Sequence, residues 1–172
     1  TPTMLNGALG YLSQVKPEGS NIITVFGCAG ERDKNRRQMG GVAAKYSSIV
    51  LLTSEDPKSE KVADINSEIF SYAENEGGVL VERIGSTEEL KMLKRDNLLA
   101  QIGRVKDSGA IPFISFEADD YTSRFDAIKF ALEYAKPGDV IYITGKGDEK
   151  FLAFSEAEYE WSDHQAVKEA IA

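Results

Sequence analysis

Five short apolar segments alternate with longer segments of helical periodicity along this chain. Several of the short segments are almost wholly apolar, as expected for strands that are buried on both faces of a parallel sheet. Alternation of strands and helices is typical of an α/β fold with three layers. We therefore expect a Rossmann-like domain in which helices flank a mostly parallel sheet of about five or six strands. The strands are predicted at residues 22–26, 49–53, 79–83, 112–116 and 140–144.

Helical periodicity predicts the elements between the strands. In the segment 122–136, for example, Phe125, Ile128 and Leu132 recur at helical spacing, and Pro137 then ends the pattern. The remaining helices are predicted at residues 3–15, 36–47, 60–74, 87–107 and 163–171, the last with Ser162 or Asp163 as its N-cap.

The composition is typical of a single domain over residues 1–172, because a chain of this length can bury about 70% of its unfolded surface. The net charge of −8 argues against nucleic acid as a partner. Since no apolar run has membrane-spanning length, we expect no membrane contact. The single cysteine excludes an intramolecular disulfide and suits a reducing, cytoplasmic location. A helical pattern begins at once, without an initial Met, so we expect a fragment of a longer chain.

Charged residues and glycines concentrate in three loops that follow strands, at residues 27–37, 54–60 and 145–149. The carboxyl ends of parallel strands lie at one edge of a sheet, and open α/β sheets bind their ligands there. We therefore expect the three loops to form one site.

The first loop has the features of an anion site before a helix. Gly27 and Gly30 allow a sharp turn and a close approach of the backbone to a ligand. Arg32 can bind a carboxylate or phosphate through two hydrogen bonds. The glycine spacing fits neither a dinucleotide fingerprint nor a P-loop. The alternative is that Arg32 belongs to a solvated cluster of ion pairs with its charged neighbours.

The other two loops combine carboxylates with lysine. In the second loop, paired carboxylates beside Lys58 suit a zwitterion, whereas a capped turn with solvated charges is the alternative. In the third loop, Lys146 can attract an anion and Glu149 can accept from an ammonium, whereas the alternative is a glycine-rich strand exit with a surface lysine. The sequence has no cluster of metal ligands, and Cys28 has no neighbouring histidine, so we predict neither a metal site nor a cysteine nucleophile.

Three patterns within these loops are specific. They are Phe-Gly-Cys-Ala-Gly-Glu-Arg-Asp-Lys-Asn-Arg-Arg at 26–37, Glu-Asp-Pro-Lys at 55–58 and Gly-Lys-Gly-Asp-Glu at 145–149. They resemble, in order, the Phe-Gly-Cys-Gly-Gly-Asp-Arg-Asp-Lys-Gly-Lys-Arg, Asp-Asn-Pro-Arg and Gly-Lys-Gly-His-Glu boxes of the C-terminal domain of the Mur ligase family. The resemblance spans most of the chain. Residues 77–109 do not fit it, and we expect them to be an insertion.

The resemblance implies the branch of this family that adds the third residue of the peptidoglycan stem. Such ligases use ATP to convert a carboxylate of UDP-MurNAc-dipeptide into an acyl phosphate, which the amine of the incoming amino acid attacks. The resemblance also implies that ATP and magnesium are bound mainly by a central domain outside this chain, which alone should be inactive. The partners would be UDP-MurNAc-dipeptide, ATP and the amino acid, without a required protein partner.

The resemblance further implies that this domain binds the incoming amino acid and closes over ATP. Arg32 would hold a carboxylate of that amino acid, and no residue of this chain would be catalytic or bind a metal ion. The implied site residues are Arg32, Asp56, Lys58, Gly145 and Glu149 for the amino acid, and Asp33 and Lys34 near the phosphates.

Two departures from the family pattern concern the amino acid that is added. Members specific for diaminopimelate have Asn and Arg where this chain has Asp56 and Lys58. The added carboxylate of Asp56 favours lysine or ornithine, whereas the positive charge of Lys58 favours diaminopimelate. Of these we favour a lysine-type acceptor, with diaminopimelate as the alternative. Competing hypotheses are another Mur-like amide ligase, cyanophycin-synthetase-like or lipid II amidating, and a non-catalytic Rossmann-like binding module.

Overall fold

The structure, a computed structural model, describes residues 1–155 and 157–172. The strands of its central sheet are β1 (Ile22–Phe26), β2 (Ile49–Leu52), β3 (Gly78–Ile84), β4 (Ile111–Phe116) and β5 (Val140–Ile143). Every pairing in this sheet is parallel, and the order across it is β3-β4-β2-β1-β5. The predicted fold class is therefore confirmed.

Helices cover both faces of the sheet. Side chains along β1 alternate between two apolar cores, since Ile22 and Phe26 pack on one face and Ile23 and Val25 on the other. These two cores give the predicted three layers. No helix in the described part of the chain is long and apolar enough to cross a membrane. The first face carries α1 (Pro2–Val15), α2 (Met39–Tyr46) and α3 (Val62–Glu74), and the second α4 (Thr87–Met92), α5 (Arg95–Asp107), α6 (Thr122–Tyr134) and α7 (Asp163–Ile171).

The single helix predicted over 87–107 is wrong, because the chain breaks between α4 and α5. Leu93 and Lys94 are extended there, with ψ angles of 130° and 104°. At about 100° of rotation per residue, a continuous helix would point Leu90 and Ile102 about 120° apart. The break allows both side chains to pack against the same core.

Three further features differ in detail from the sequence prediction. A 3₁₀ helix (Lys34–Gln38) precedes α2, so the helix predicted over 36–47 is α-helical only from the start of α2. An antiparallel hairpin of β6 (Phe151–Ala153) and β7 (Glu158–Glu160) occupies a stretch without a strand prediction, because its strands are three residues long and mixed in polarity. The segment 77–109 forms edge strand β3 and helices α4 and α5, and its status as an insertion stays a prediction.

The carboxyl ends of β2, β1 and β5 are neighbours in the sheet, and the three charged loops follow these ends. The prediction that the loops meet at one edge is therefore confirmed. The chain also changes direction across the sheet at β1, since β2 lies on one side of this strand and β5 on the other. Such a switch point opens a crevice between the loops of an α/β sheet.

The loop after β1 contacts the loop after β2 through its backbone. The Gly30 N–H donates to the Asp56 carbonyl oxygen at 3.0 Å. A Cβ atom on Gly30 would overlap with the Pro57 carbonyl group. The sequence analysis expected Gly30 to allow a ligand to approach the backbone. In the structure the neighbouring loop occupies this position, and its close contact requires glycine at residue 30.

Replacing Gly30 by alanine should push the two loops apart. Because the added methyl group meets backbone atoms, we expect the free energy of unfolding to fall by about 1–3 kcal/mol. Gly7→Ala is the matched control, since a Cβ atom there meets nothing within 4 Å. Alanine favours helix α1, so the control should gain about 0.5–1 kcal/mol. Urea denaturation measures both variants, and a Gly30→Ala protein as stable as the wild type would contradict the contact.

Candidate functional site

A cleft of about 560 Å³ lies at the carboxyl edge of the sheet, between α1 and the loops that follow β1, β2 and β5. Tyr142 of β5 and Thr144 just after this strand form one wall, and Leu5 and Ala8 of α1 form another. The cleft lies at the switch point of the sheet, where this class of fold binds ligands. Its charged and glycine residues are Arg32, Arg36, Glu55, Asp56, Gly145 and Glu149.

Four of the predicted site residues line this cleft together, namely Arg32, Asp56, Gly145 and Glu149. The lining has two further charged side chains, Arg36 and Glu55, which the sequence analysis did not predict as site residues. Arg36 belongs to the basic run of the first loop, so the sequence contained a signal. Which basic side chain of that run lines the cleft depends on the 3₁₀ helix, and the sequence pattern did not predict that element.

The other three predicted residues lie outside the lining of this cleft. Lys58 places its ammonium 3.9 Å from the carboxylate of Glu31. Asp33 caps the 3₁₀ helix by accepting a backbone N–H of that helix at 3.0 Å. Lys34 donates to Glu68 of α3 at 2.7 Å. The binding roles of Lys58, Asp33 and Lys34 stay predictions.

Lys146 is buried between the second and third loops. Its Nζ donates to Asp56 Oδ2 at 2.6 Å and to Glu149 Oε2 at 2.5 Å. The other oxygen of Asp56, Oδ1, accepts the Ala153 N–H at 2.8 Å. Since the side chain of Lys146 is 1% exposed, the alternative of a surface lysine is wrong. The lysine charge is directed at two carboxylates of the protein itself.

A second buried cation, Arg124 of α6, joins the ends of two strands. Its Nη1 donates to the Ser54 carbonyl after β2 and its Nη2 to the Thr144 carbonyl after β5, both at 3.1 Å. Asp163 accepts from Nε and Nη2 at 2.8 Å. Burial acts to raise the pKa of Asp163, but the hydrogen bonds and charge of Arg124 lower it overall. The sequence analysis missed Arg124 because nothing in a helical pattern shows that an arginine is buried. Of the two N-cap candidates for α7, the structure shows Ser162 as the cap.

Glu55 is the buried acid of the cleft, with 8% of its surface exposed. Gly145 lies so close that a Cβ atom there would overlap with the Glu55 carboxyl group. Burial raises the pKa of Glu55 to about 7, against the lowering effect of the positive charges of Arg124, Arg36 and Lys146. The charge of the cleft therefore changes near neutral pH.

The cleft can bind charged groups through hydrogen bonds and ion pairs. Among residues 1–155 and 157–172, no group of three or more His, Cys, Asp or Glu side chains could hold a metal ion. Cys28 is 1% exposed, and burial raises its pKa to about 12, so the thiol stays protonated at neutral pH. The binding properties of the cleft therefore depend on its charged side chains.

Residues 1–103 match the family model described as Mur ligase, glutamate ligase domain. The match covers more than half of the 172 residues. This chain belongs to the Mur ligase family. The family resemblance inferred from the three loops is thereby confirmed.

Relatives of this Mur ligase domain include enzymes named UDP-N-acetylmuramoyl-L-alanyl-D-glutamate--2,6-diaminopimelate ligase. The domain is 30% identical to the one from Agrobacterium fabrum, over 97% of this chain and 29% of that protein. It is 32% identical to the one from Aquifex aeolicus, over 87% of this chain and 23% of that protein. A solved structure of a ligase with this name has a TM-score of 0.64 at 26% identity, over 99% of this chain and 27% of that chain. The domain thus spans less than a third of the length of these relatives.

Glu55→Gln should alter how the stability of this Mur ligase domain depends on pH. The folded pKa, about 7, lies above the ordinary value of 4.5, so the folded state holds an additional proton between these pH values. The free energy of unfolding should therefore fall as pH rises through this window, by up to about 3 kcal/mol. Glu55→Gln should lack this part of the fall, whereas the exposed Glu18→Gln should keep it. Chemical denaturation at several pH values measures the difference, and an unchanged profile in Glu55→Gln would contradict the raised pKa.

Proposed function

We propose that this domain is the C-terminal, amino-acid-binding part of an ATP-dependent ligase that adds the third residue to UDP-MurNAc-dipeptide in peptidoglycan synthesis. The observation that carries the proposal is the cleft at the switch point, where Arg32, Arg36 and Glu55 lie beside the carboxylates paired with Lys146. Family membership and the names of the relatives support the reaction class.

The two guanidinium groups of the cleft suit an acceptor with two carboxylates. Within the described residues, neither Arg32 nor Arg36 forms an ion pair, and both line the cleft. Guanidinium groups bind carboxylates through paired, charge-assisted hydrogen bonds. The proposed acceptor is therefore 2,6-diaminopimelate, the amino acid in the names of the relatives.

The two residues that depart from the diaminopimelate-specific pattern, Asp56 and Lys58, do not offer free charges to the cleft. Asp56 divides its carboxylate between Lys146 and the Ala153 N–H. Lys58 lies near Glu31 instead of in the cleft lining. Both departures from the diaminopimelate-specific pattern therefore lose weight, and lysine becomes the competing outcome of the test.

In the proposed reaction, ATP phosphorylates the dipeptide carboxylate, and the amine of the bound amino acid then displaces phosphate as the amide bond forms. The residues of this domain would bind the amino acid and orient its amine towards the acyl phosphate. We assign ATP and magnesium mainly to another part of the longer ligase, with Asp33 and Lys34 as the nearest residues of this domain to the phosphates. Because the reaction consumes ATP, we place it in the cytoplasm.

Replacing Arg32 should weaken binding of the acceptor. Charge-assisted hydrogen bonds contribute about 1.5–3 kcal/mol, so Arg32→Ala should lower the affinity for diaminopimelate about 10- to 100-fold. Calorimetry on this chain measures the affinity, and amino-acid-dependent phosphate release measures turnover by the longer ligase. Arg104→Ala, which removes an exposed arginine of α5 outside the cleft, is the matched control and should leave the affinity unchanged.

The outcomes separate the competing functions. If neither diaminopimelate, lysine nor ornithine supports turnover, the assignment fails. Turnover with a different acceptor would favour another Mur-like amide ligase, such as a cyanophycin-synthetase-like or lipid II amidating enzyme. Unchanged ligation in Arg32→Ala and Glu149→Ala would favour the non-catalytic binding module. ATP hydrolysis by this chain alone would contradict a separate ATP-binding part.

A further inference from the structure

Lys146 differs from the other cations near the cleft because its side chain is almost wholly buried. Lysine is rarely buried unless a carboxylate pairs with it. Here two carboxylates share one ammonium, with Asp56 at 2.6 Å and Glu149 at 2.5 Å. The side chains of Asp56 and Glu149 remain 24% and 57% exposed, and both residues line the cleft. The ammonium therefore lies just beneath the surface that a ligand would touch.

The two carboxylates bring two negative charges to the cleft wall, and Lys146 offsets one of them. Diaminopimelate carries two carboxylates and two ammonium groups, so its net charge at neutral pH is zero. Lysine lacks the second carboxylate and has a net charge of +1. A wall with two uncompensated carboxylates would repel a second ligand carboxylate and attract the more positive ligand. The charge of Lys146 should therefore change the relative affinity of the cleft for diaminopimelate and lysine.

We propose that Lys146 is a specificity-determining residue that allows the cleft to accept an amino acid with a second carboxylate and disfavours a lysine-type acceptor. This inference rests on the proposed function, since it concerns the acceptor of that reaction. The physical reason is the charge of the cleft wall. Both ligands carry a distal ammonium, but only diaminopimelate carries a second carboxylate, and the Lys146 ammonium between Asp56 and Glu149 reduces the repulsion that this carboxylate meets.

The loops hold their positions through contacts that do not involve Lys146. Arg124 joins the strand ends after β2 and β5, and the Asp56 carbonyl oxygen accepts the Gly30 N–H. The two carboxylates are partly exposed, so water can solvate them once the ammonium is removed. A substitution at Lys146 should therefore change the charge of the cleft more than its shape.

The test compares the affinities for two ligands, diaminopimelate and lysine. We expect Lys146→Met to lower the ratio of diaminopimelate affinity to lysine affinity at least about tenfold. Calorimetry on this chain gives the ratio, and the two KM values of the longer ligase give it independently. Lys146→Arg keeps the charge and should keep the ratio. Lys150→Met, at an exposed position nearby, is the matched control and should change neither affinity.

A double variant separates the effect of charge from that of packing. Lys146→Met combined with Asp56→Asn removes one positive and one negative charge, so the wall returns to a single negative charge. We expect this variant to regain an affinity ratio within about threefold of the wild type, because contacting residues are energetically coupled. A merely structural role of Lys146 would not be rescued in this way. Should Lys146→Met fail to fold, Lys146→Gln carries the same expectation.

Two results would overturn the role of Lys146 and leave the proposed function standing. They are an unchanged affinity ratio in the neutral variants and an equal weakening of both ligands. A different result concerns the wild type. If the unaltered chain binds neither ligand and the longer ligase releases no phosphate with either, the proposed function fails, and the role of Lys146 falls with it.

Discussion

Arg124 and Asp163 form a buried ion pair that sets the geometry of the carboxyl edge. The strands whose ends it joins, β2 and β5, do not touch in the sheet, because β1 lies between them. The guanidinium spans this gap by donating to the Ser54 and Thr144 carbonyl oxygens. A buried pair adds little net stability because its desolvation is costly, yet loss of one partner costs about 3–5 kcal/mol. The contribution of the pair is therefore the fixed spacing of the loops that carry the site.

Once the loops are held at this spacing, the charges of the cleft divide into paired and free groups. Lys146 pairs with Asp56 and Glu149. In the described part of the chain, Arg32 and Arg36 line the cleft without an ion pair. The remaining charged groups are these two guanidiniums, which favour carboxylates, and the buried Glu55, whose pKa of about 7 leaves it partly protonated at neutral pH. The proposal of an acceptor with a carboxylate at each end rests on this arrangement.

The sheet and the location of the site could be predicted from the sequence, because apolar strands and parallel topology determine which loops share an edge. The helix break at Leu93 could not be predicted from the sequence, because the pattern stays helical on both sides of it. Only the packing of both helices against the core shows the break. The sequence also could not predict which charged side chains of the cleft are paired with each other and which are free. Arg32 and Lys146 both lie within two residues after a glycine, but Lys146 is buried through contact with Asp56, which is distant in sequence. Arg124 is likewise recognised only through its distant partners.

The most direct measurement is a titration of the ¹⁵N-labelled chain with diaminopimelate, followed by backbone amide resonances. Binding in the cleft should shift the amides of Arg32, Arg36 and Gly145 together, with one dissociation constant. A second cleft, between α5 and α6, includes Lys106 and Tyr134 and serves as the internal reference, whose resonances should not move. Shifts confined to that second cleft, or a ligand that perturbs no residue at the carboxyl edge, would contradict an amino-acid site between the three loops.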